Sequence, residues 1–185
     1  MTKEDFAAKY ASHMQTLEDI SEKLCFSLNG EKYLKFDEIT VAAFPKIHPC
    51  AFDLIHFYKD FIICVEFKNR AKKSIITEEE SIEKQRYLDE GGKYPCLVKD
   101  KLREGLLALY SLFDGNLPEL HKRVIYVVIH KDTKTLYSEF ADHTEALADE
   151  FRLSKYKKWL IYDTFTMPCN DTLKHKMSRY KINIK

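Results

Sequence analysis

The chain has 185 residues, of which 45% are hydrophobic and 32% charged, with 30 Lys and Arg against 29 Asp and Glu. That length suits one domain, 1–185, burying roughly 70% of the surface its unfolded form exposes, and the composition excludes a disordered or collagen-like chain. No run of about 18 apolar residues and no apolar signal core follow MTKEDFAAKYASHMQ, so neither a membrane span nor a secretory leader is expected, and the chain reads as cytoplasmic.

The five glycines form no GxGxxG, GxxxxGK[ST] or GxSxG, which removes the dinucleotide, P-loop and nucleophile-elbow readings. The five cysteines (25, 50, 64, 96 and 169) make no CxxC pair and are expected as reduced thiols. A net charge of +1 hides segments of opposite sign. Residues 151–185 carry nine Lys or Arg against two Asp, and residues 76–90 carry six acidic against two basic residues. The basic segment interleaves aromatics (KYKKW, KHKMSRYK), a pattern that suits phosphates and equally a solvated face.

In chain order, Phe6, Tyr10, Met14, Leu17, Ser21 and Leu24 recur at three and four residues, predicting one long first helix capped by Thr2 and Asp5 and stopped at Asn29-Gly30. YLKFDEITVAA (33–43) reads as a strand, broken by the stretch from Pro45 to Pro49. CAFDLIHFYKDFIICVEFKNR (50–70) then reads as a hairpin turning at Lys59-Asp60. Thr77 and Glu80 open an acidic helix that ends at Gly91-Gly92. A crossover helix follows, with stripe Leu102, Leu106, Leu109 and Phe113, Asp100 as N-cap and Gly115 past its end. RVIYVVIH (123–130) reads as a parallel strand, residues 144–156 as a helix, WLIYDTF (159–165) as a strand and 171–185 as a basic C-terminal tail. The order α-β-β-β-α-α-β-α-β is that of an α/β domain with a mixed sheet flanked by helices.

The hairpin holds the chemistry. With Tyr58 opposite Phe61, Asp53 falls opposite Glu66, and Lys68 shares their face by the strand period of two. The expected faces, Ile55, Phe57, Ile62 and Cys64 on one side and Phe52, Leu54, His56, Ile63, Val65 and Phe67 on the other, are both apolar, so the charges lie at the end of a buried sheet. Two facing carboxylates repel and lose solvation on burial, so a cation belongs beside them. Lys68 supplies one charge, and a bridging Mg²⁺ or Mn²⁺ accounts for the pair more fully.

Asp53 in AFDLI, a hairpin turn, and Glu66-Phe67-Lys68 in VEFKN resemble the PD-(D/E)xK nuclease superfamily, with its restriction-endonuclease-like fold. The resemblance covers residues 3–130 as topology, an α-β-β-β-α-β core to which this chain adds a helix and a strand. It implies a Mg²⁺- or Mn²⁺-dependent nuclease with catalytic Asp53, Glu66 and Lys68: the two carboxylates as metal ligands and the lysine positioning the attacking water. It implies a further carboxylate on the first helix, for which Glu18 is favoured over Glu22. Nucleic acid, DNA before RNA, is the implied partner, with Arg70, Lys72, Lys73, Lys101 and Arg103 near its phosphates, and many relatives act as homodimers. The proline that often precedes the aspartate is absent, Phe52 standing there, as is the QxxxY signature after Gln85. His13 is the one helix histidine that could add a ligand; His48, Cys50 and Cys64 lack a fourth zinc ligand at a known spacing. The alternatives are a catalytically inactive nuclease-like scaffold that binds nucleic acid or protein, and a plain surface cluster of charges.

Overall fold

Thr2 accepts the Asp5 N–H while the Asp5 carboxylate takes the Thr2 N–H, and this reciprocal cap starts α1 (Lys3–Lys9). The computed structural model describes residues 1–68, 98–113, 123–130, 153–157 and 160–185. The helices expected at 77–92 and over most of 144–156, and the basic residues Arg70, Lys72 and Lys73, lie outside them.

The long first helix is a correction. After α1 the chain makes a single 3-10 turn (Ala11–His13), then β1 (Met14–Thr16), then α2 (Leu17–Ile20), capped by the Thr16 hydroxyl. Phe6 and Tyr10 fill one core layer, whereas Leu17 and Ile20 fill the layer on the other side of the sheet. One straight helix cannot feed both layers, so the periodic stripe is cut by an edge strand.

β1 pairs antiparallel with β2 (Lys32–Lys35), Gln15 standing opposite Tyr33. The strand expected over 33–43 ends at Lys35, and α3 (Phe36–Ala43) takes the rest. Phe36, Ile39 and Thr40 are its buried residues, at helical spacing, and Asp37 and Glu38 sit in its first turn, where the helix dipole favours acid.

β3 (Leu54–Tyr58) and β4 (Phe61–Lys68) form the hairpin in the expected register, from Tyr58 with Phe61 to Leu54 with Val65. Lys59 adopts φ 50° in its tight turn. One residue departs from the expected faces: Phe52 precedes the strand, so alternation does not govern it, and its ring stacks on Phe36 at 4.6 Å in the layer of Ile55 and Cys64.

α4 (Val98–Leu112) begins before Asp100, which therefore lies inside the helix and pairs with Arg103 instead of capping it. It packs Leu102, Leu106 and Leu109 into the first layer. β5 (Val124–His130) runs parallel to β4, and β6 (Asp163–Pro168) parallel to β5, four residues later than the sequence implies because Ile161 is spent in the first layer. The sheet order is β1-β2-β3-β4-β5-β6. Residues 171–185 are no tail: Asn170 caps α5 (Asp171–Ser178), and Leu173, Met177, Ile182 and Ile184 are buried in the second layer. No helix among the described residues is long and apolar enough to cross a membrane. Cys50 is disulfide-bonded, which corrects the expectation of reduced thiols at that position, while Cys25, Cys64 and Cys169 are free.

Candidate functional site

Asp53 is fixed from three sides. Its N–H donates to the Val65 carbonyl at 3.0 Å, its carbonyl accepts the Phe36 N–H at 2.9 Å, and its Oδ2 accepts the Phe67 N–H at 2.6 Å. The first bond reaches Val65, the partner of Leu54, so it lies one residue off the ladder's register and ties Asp53 to β4 just before the start of β3. The last is charge-assisted and holds the carboxylate against β4.

Glu66 has no solvent exposure, and its strand period puts it on the face of Ile62 and Cys64, in the first layer. A buried carboxylate loses several kcal/mol of hydration unless a cation compensates. Lys101 of α4 does so: its Nζ lies 2.9 Å from Glu66 Oε1 and 3.1 Å from Asp53 Oδ1. Burial opposes this ammonium, but the Glu66 and Asp53 charges outweigh it and hold Lys101 above its ordinary range. One ammonium thus contacts an oxygen of each carboxylate. The plain surface cluster is thereby set aside, since one partner is wholly enclosed.

Further acid lies near Asp53. Burial, then the Asp53 charge, raise the Asp37 carboxyl above its usual range, and the Asp37 Oδ1 accepts the Glu38 N–H at 2.9 Å. Lys35 is engaged by Glu38 at 3.0 Å. The buried Tyr126 phenol is pushed well up by desolvation and then by the Glu66 charge, so it stays neutral.

Lys68 ends β4 with its backbone opposite His130; its side chain is outside the described residues. Glu18 is not brought to the pair: its Oε2 accepts both the N–H and the hydroxyl of Ser27 at 3.0 Å, and the Ser27 backbone bond holds it below its usual range. The short α2 that replaces the expected long helix explains the miss. His13 faces Glu38 at 3.7 Å, and Arg103 is exposed and bound to Asp100.

No family model, curated protein or solved structure matches this chain.

Lys101, expected at phosphates, stands instead between the two carboxylates. Its signal was present in the sequence: Gly105, one turn on, lies on the same helix face, and a glycine inside a helix marks a close approach. An added Cβ there would come within 2.7 Å of the Phe52 ring, so α4 meets the chain immediately before Asp53. Asp37, in the segment that reads as a strand and where FDEIT offers acid to the site or plain solvated positions, stands in the first turn of α3. Among the described residues no three His, Cys, Asp or Glu side chains converge to hold a metal ion. Asp53 and Glu66 converge on the Lys101 ammonium, and a carboxylate pair is the kind of oxygen donor set that fits Mg²⁺, which keeps several waters and takes one or two protein carboxylates.

Proposed function

We propose that the chain is a Mg²⁺- or Mn²⁺-dependent nuclease of the PD-(D/E)xK type, hydrolysing phosphodiester bonds of DNA, with RNA as the alternative substrate. The observation that carries this reading is the Lys101 ammonium within 3.1 Å of both Asp53 and Glu66, which marks the carboxylate pair as a cation-binding position. The strand order β2-β3-β4-β5, antiparallel up to β4 and then parallel, with α4 before β5, is compatible with a restriction-endonuclease-like core.

Asp53 and Glu66 would hold the metal, which when bound supplies an activated water and offsets charge developing on the phosphate. Lys101, on its flexible four-carbon stem, is then released from the carboxylates to meet a phosphate oxygen or orient the water. Lys68, at the end of β4, is the second candidate for that task. A homodimer would place two such sites on two strands.

Asp53→Ala, Glu66→Ala and Lys68→Ala are each expected to abolish Mn²⁺-dependent cleavage of DNA and RNA while circular dichroism stays native. Wild-type protein that binds no Mn²⁺ by calorimetry and cuts no nucleic acid sinks the proposal. The second reading, an inactive scaffold that binds nucleic acid or protein, is favoured by the fact that Lys101 already serves both carboxylates. It calls for salt-sensitive binding that EDTA leaves unchanged.

A further inference from the structure

We propose that Cys25 and Cys169 are a redox site that closes reversibly into a disulfide, stapling the loop after α2 to the start of α5. Their Sγ atoms lie 2.7 Å apart, so bonding at about 2.05 Å takes a closing movement of under about 1 Å. The pair is on the second-layer side of the sheet, away from Asp53 and Glu66, and the inference stands apart from the nuclease reading.

Both sulfurs are held from their own segments. Glu22 and Lys23 take left-handed φ values of 52° and 66°, turning the chain back so that the Ser21 hydroxyl accepts the Cys25 N–H at 2.9 Å and donates to the Cys25 carbonyl at 3.1 Å. Cys169 lies between the end of β6 and Asn170, the N-cap of α5. The chain just after Cys25 is in turn tied to the C-terminus: Leu28 N–H donates to the Asn183 carbonyl at 2.9 Å and Lys185 N–H to the Phe26 carbonyl at 2.8 Å, around a bridge between Ser27 and Ile184.

The two thiols differ in a way that assigns their roles. Cys25 is 1% exposed, whereas Cys169 is half-buried and accessible to a small reagent. A thiolate at Cys169 is favoured by the Cys25 hydrogen bond and then by the Lys174 ammonium, and the helix N-terminus beside it acts in the same sense. The same hydrogen bond, with burial, keeps Cys25 protonated. Cys169 thus attacks and Cys25 resolves. With a small-molecule disulfide as oxidant, the Cys169 thiolate displaces one thiolate and forms a mixed disulfide. Cys25 then loses its proton and attacks the Cys169 sulfur, expelling the second thiolate. Two cysteine thiols are oxidised by two electrons, and the oxidant is reduced to two thiols.

The test uses the full chain, reduced, desalted, incubated with glutathione disulfide, alkylated with N-ethylmaleimide and mapped by peptide mass. The expected product is a Cys25–Cys169 linked peptide pair, two hydrogens lighter than the dithiol, mapped separately from the disulfide of Cys50. Its Tm should exceed that of Cys169→Ser treated alike by roughly 10 °C, because the bond closes a long loop. In Cys25→Ser, Cys169 should stop at the glutathione mixed disulfide. Recovery of both wild-type cysteines alkylated, linkage of Cys169 to a different cysteine, or a mixed disulfide persisting in wild type would each overturn the proposal. The wild-type map alone decides, whether or not the variants fold.

Discussion

Lys101 is where stability and chemistry meet. Removing one partner of an enclosed ion pair leaves the other charge uncompensated, at a cost of about 3–5 kcal/mol, and Glu66 has no exposure through which water could take over. Lys101→Met is therefore expected to lower Tm by roughly 10 °C in a chain of this size. Under the proposed function, saturating Mn²⁺ should recover part of that loss by filling the vacated position, about 2.7 kcal/mol at a hundredfold excess over Kd. Under the scaffold reading, Mn²⁺ leaves the variant's melting curve unchanged. Differential scanning calorimetry with and without Mn²⁺ separates the two. The hairpin register, from Tyr58 with Phe61 to Leu54 with Val65, was legible, because a two-residue loop fixes it. That Lys101 completes the group was legible only as the hint of Gly105 inside its helix, because what α4 meets there is set by packing against Phe52, a long-range contact.

At the scale of elements, Gly105 is the joint between α4 and the hairpin. Alanine inside a helix normally gains about 1 kcal/mol over glycine. Here its Cβ would meet the Phe52 ring at 2.7 Å, and that ring is fully buried and stacked on Phe36, so it cannot swing aside. Overpacking of this kind costs about 1–3 kcal/mol. Gly105→Ala should thus lower Tm by a few degrees, and because Phe52 immediately precedes Asp53, it should weaken Mn²⁺ binding as well; a Tm above wild type would refute the tight joint. β3 carries a second expectation. Burial lowers the His56 pKa below its ordinary 6.5, so the unfolded chain takes up the proton first. Stability is retained above 6.5 and falls as pH drops from there toward the depressed folded value. Melting curves between pH 7.5 and 5 should show this loss, and His56→Gln should flatten it. The errors in reading elements have one cause. Residues 33–43 alternate well enough for a strand and are spaced well enough for a helix, and only the tertiary demand for Phe36 and Ile39 in one layer decides. The stripe from Phe6 to Leu24 is periodic but serves two layers, which a one-dimensional pattern cannot display.

At the scale of the molecule, the sheet separates two territories. Glu66, Lys101 and α4 belong to the first layer, whereas α5 and the C-terminal strand-like segment cover the second. The basic excess of residues 151–185, which in the sequence suggests a tail free to hold phosphates, is thereby divided. Residues 171–185 are folded onto the face opposite the carboxylates, with Leu173, Met177, Ile182 and Ile184 inside and Arg179, Lys181 and Lys185 exposed. A nucleic-acid backbone engaged at Asp53 and Glu66 would then release no counterions from those three residues. Each phosphate neutralised contributes about 0.9 to the slope of log K against log salt on duplex DNA. The triple variant Arg179→Gln, Lys181→Gln, Lys185→Gln should therefore bind DNA with the wild-type slope. A slope shallower by two or more would instead place the backbone on α5, detaching nucleic-acid binding from the carboxylate pair and moving the reading toward the scaffold. Fluorescence anisotropy across a salt series, in Ca²⁺ to suppress cleavage, makes the distinction without relying on catalysis.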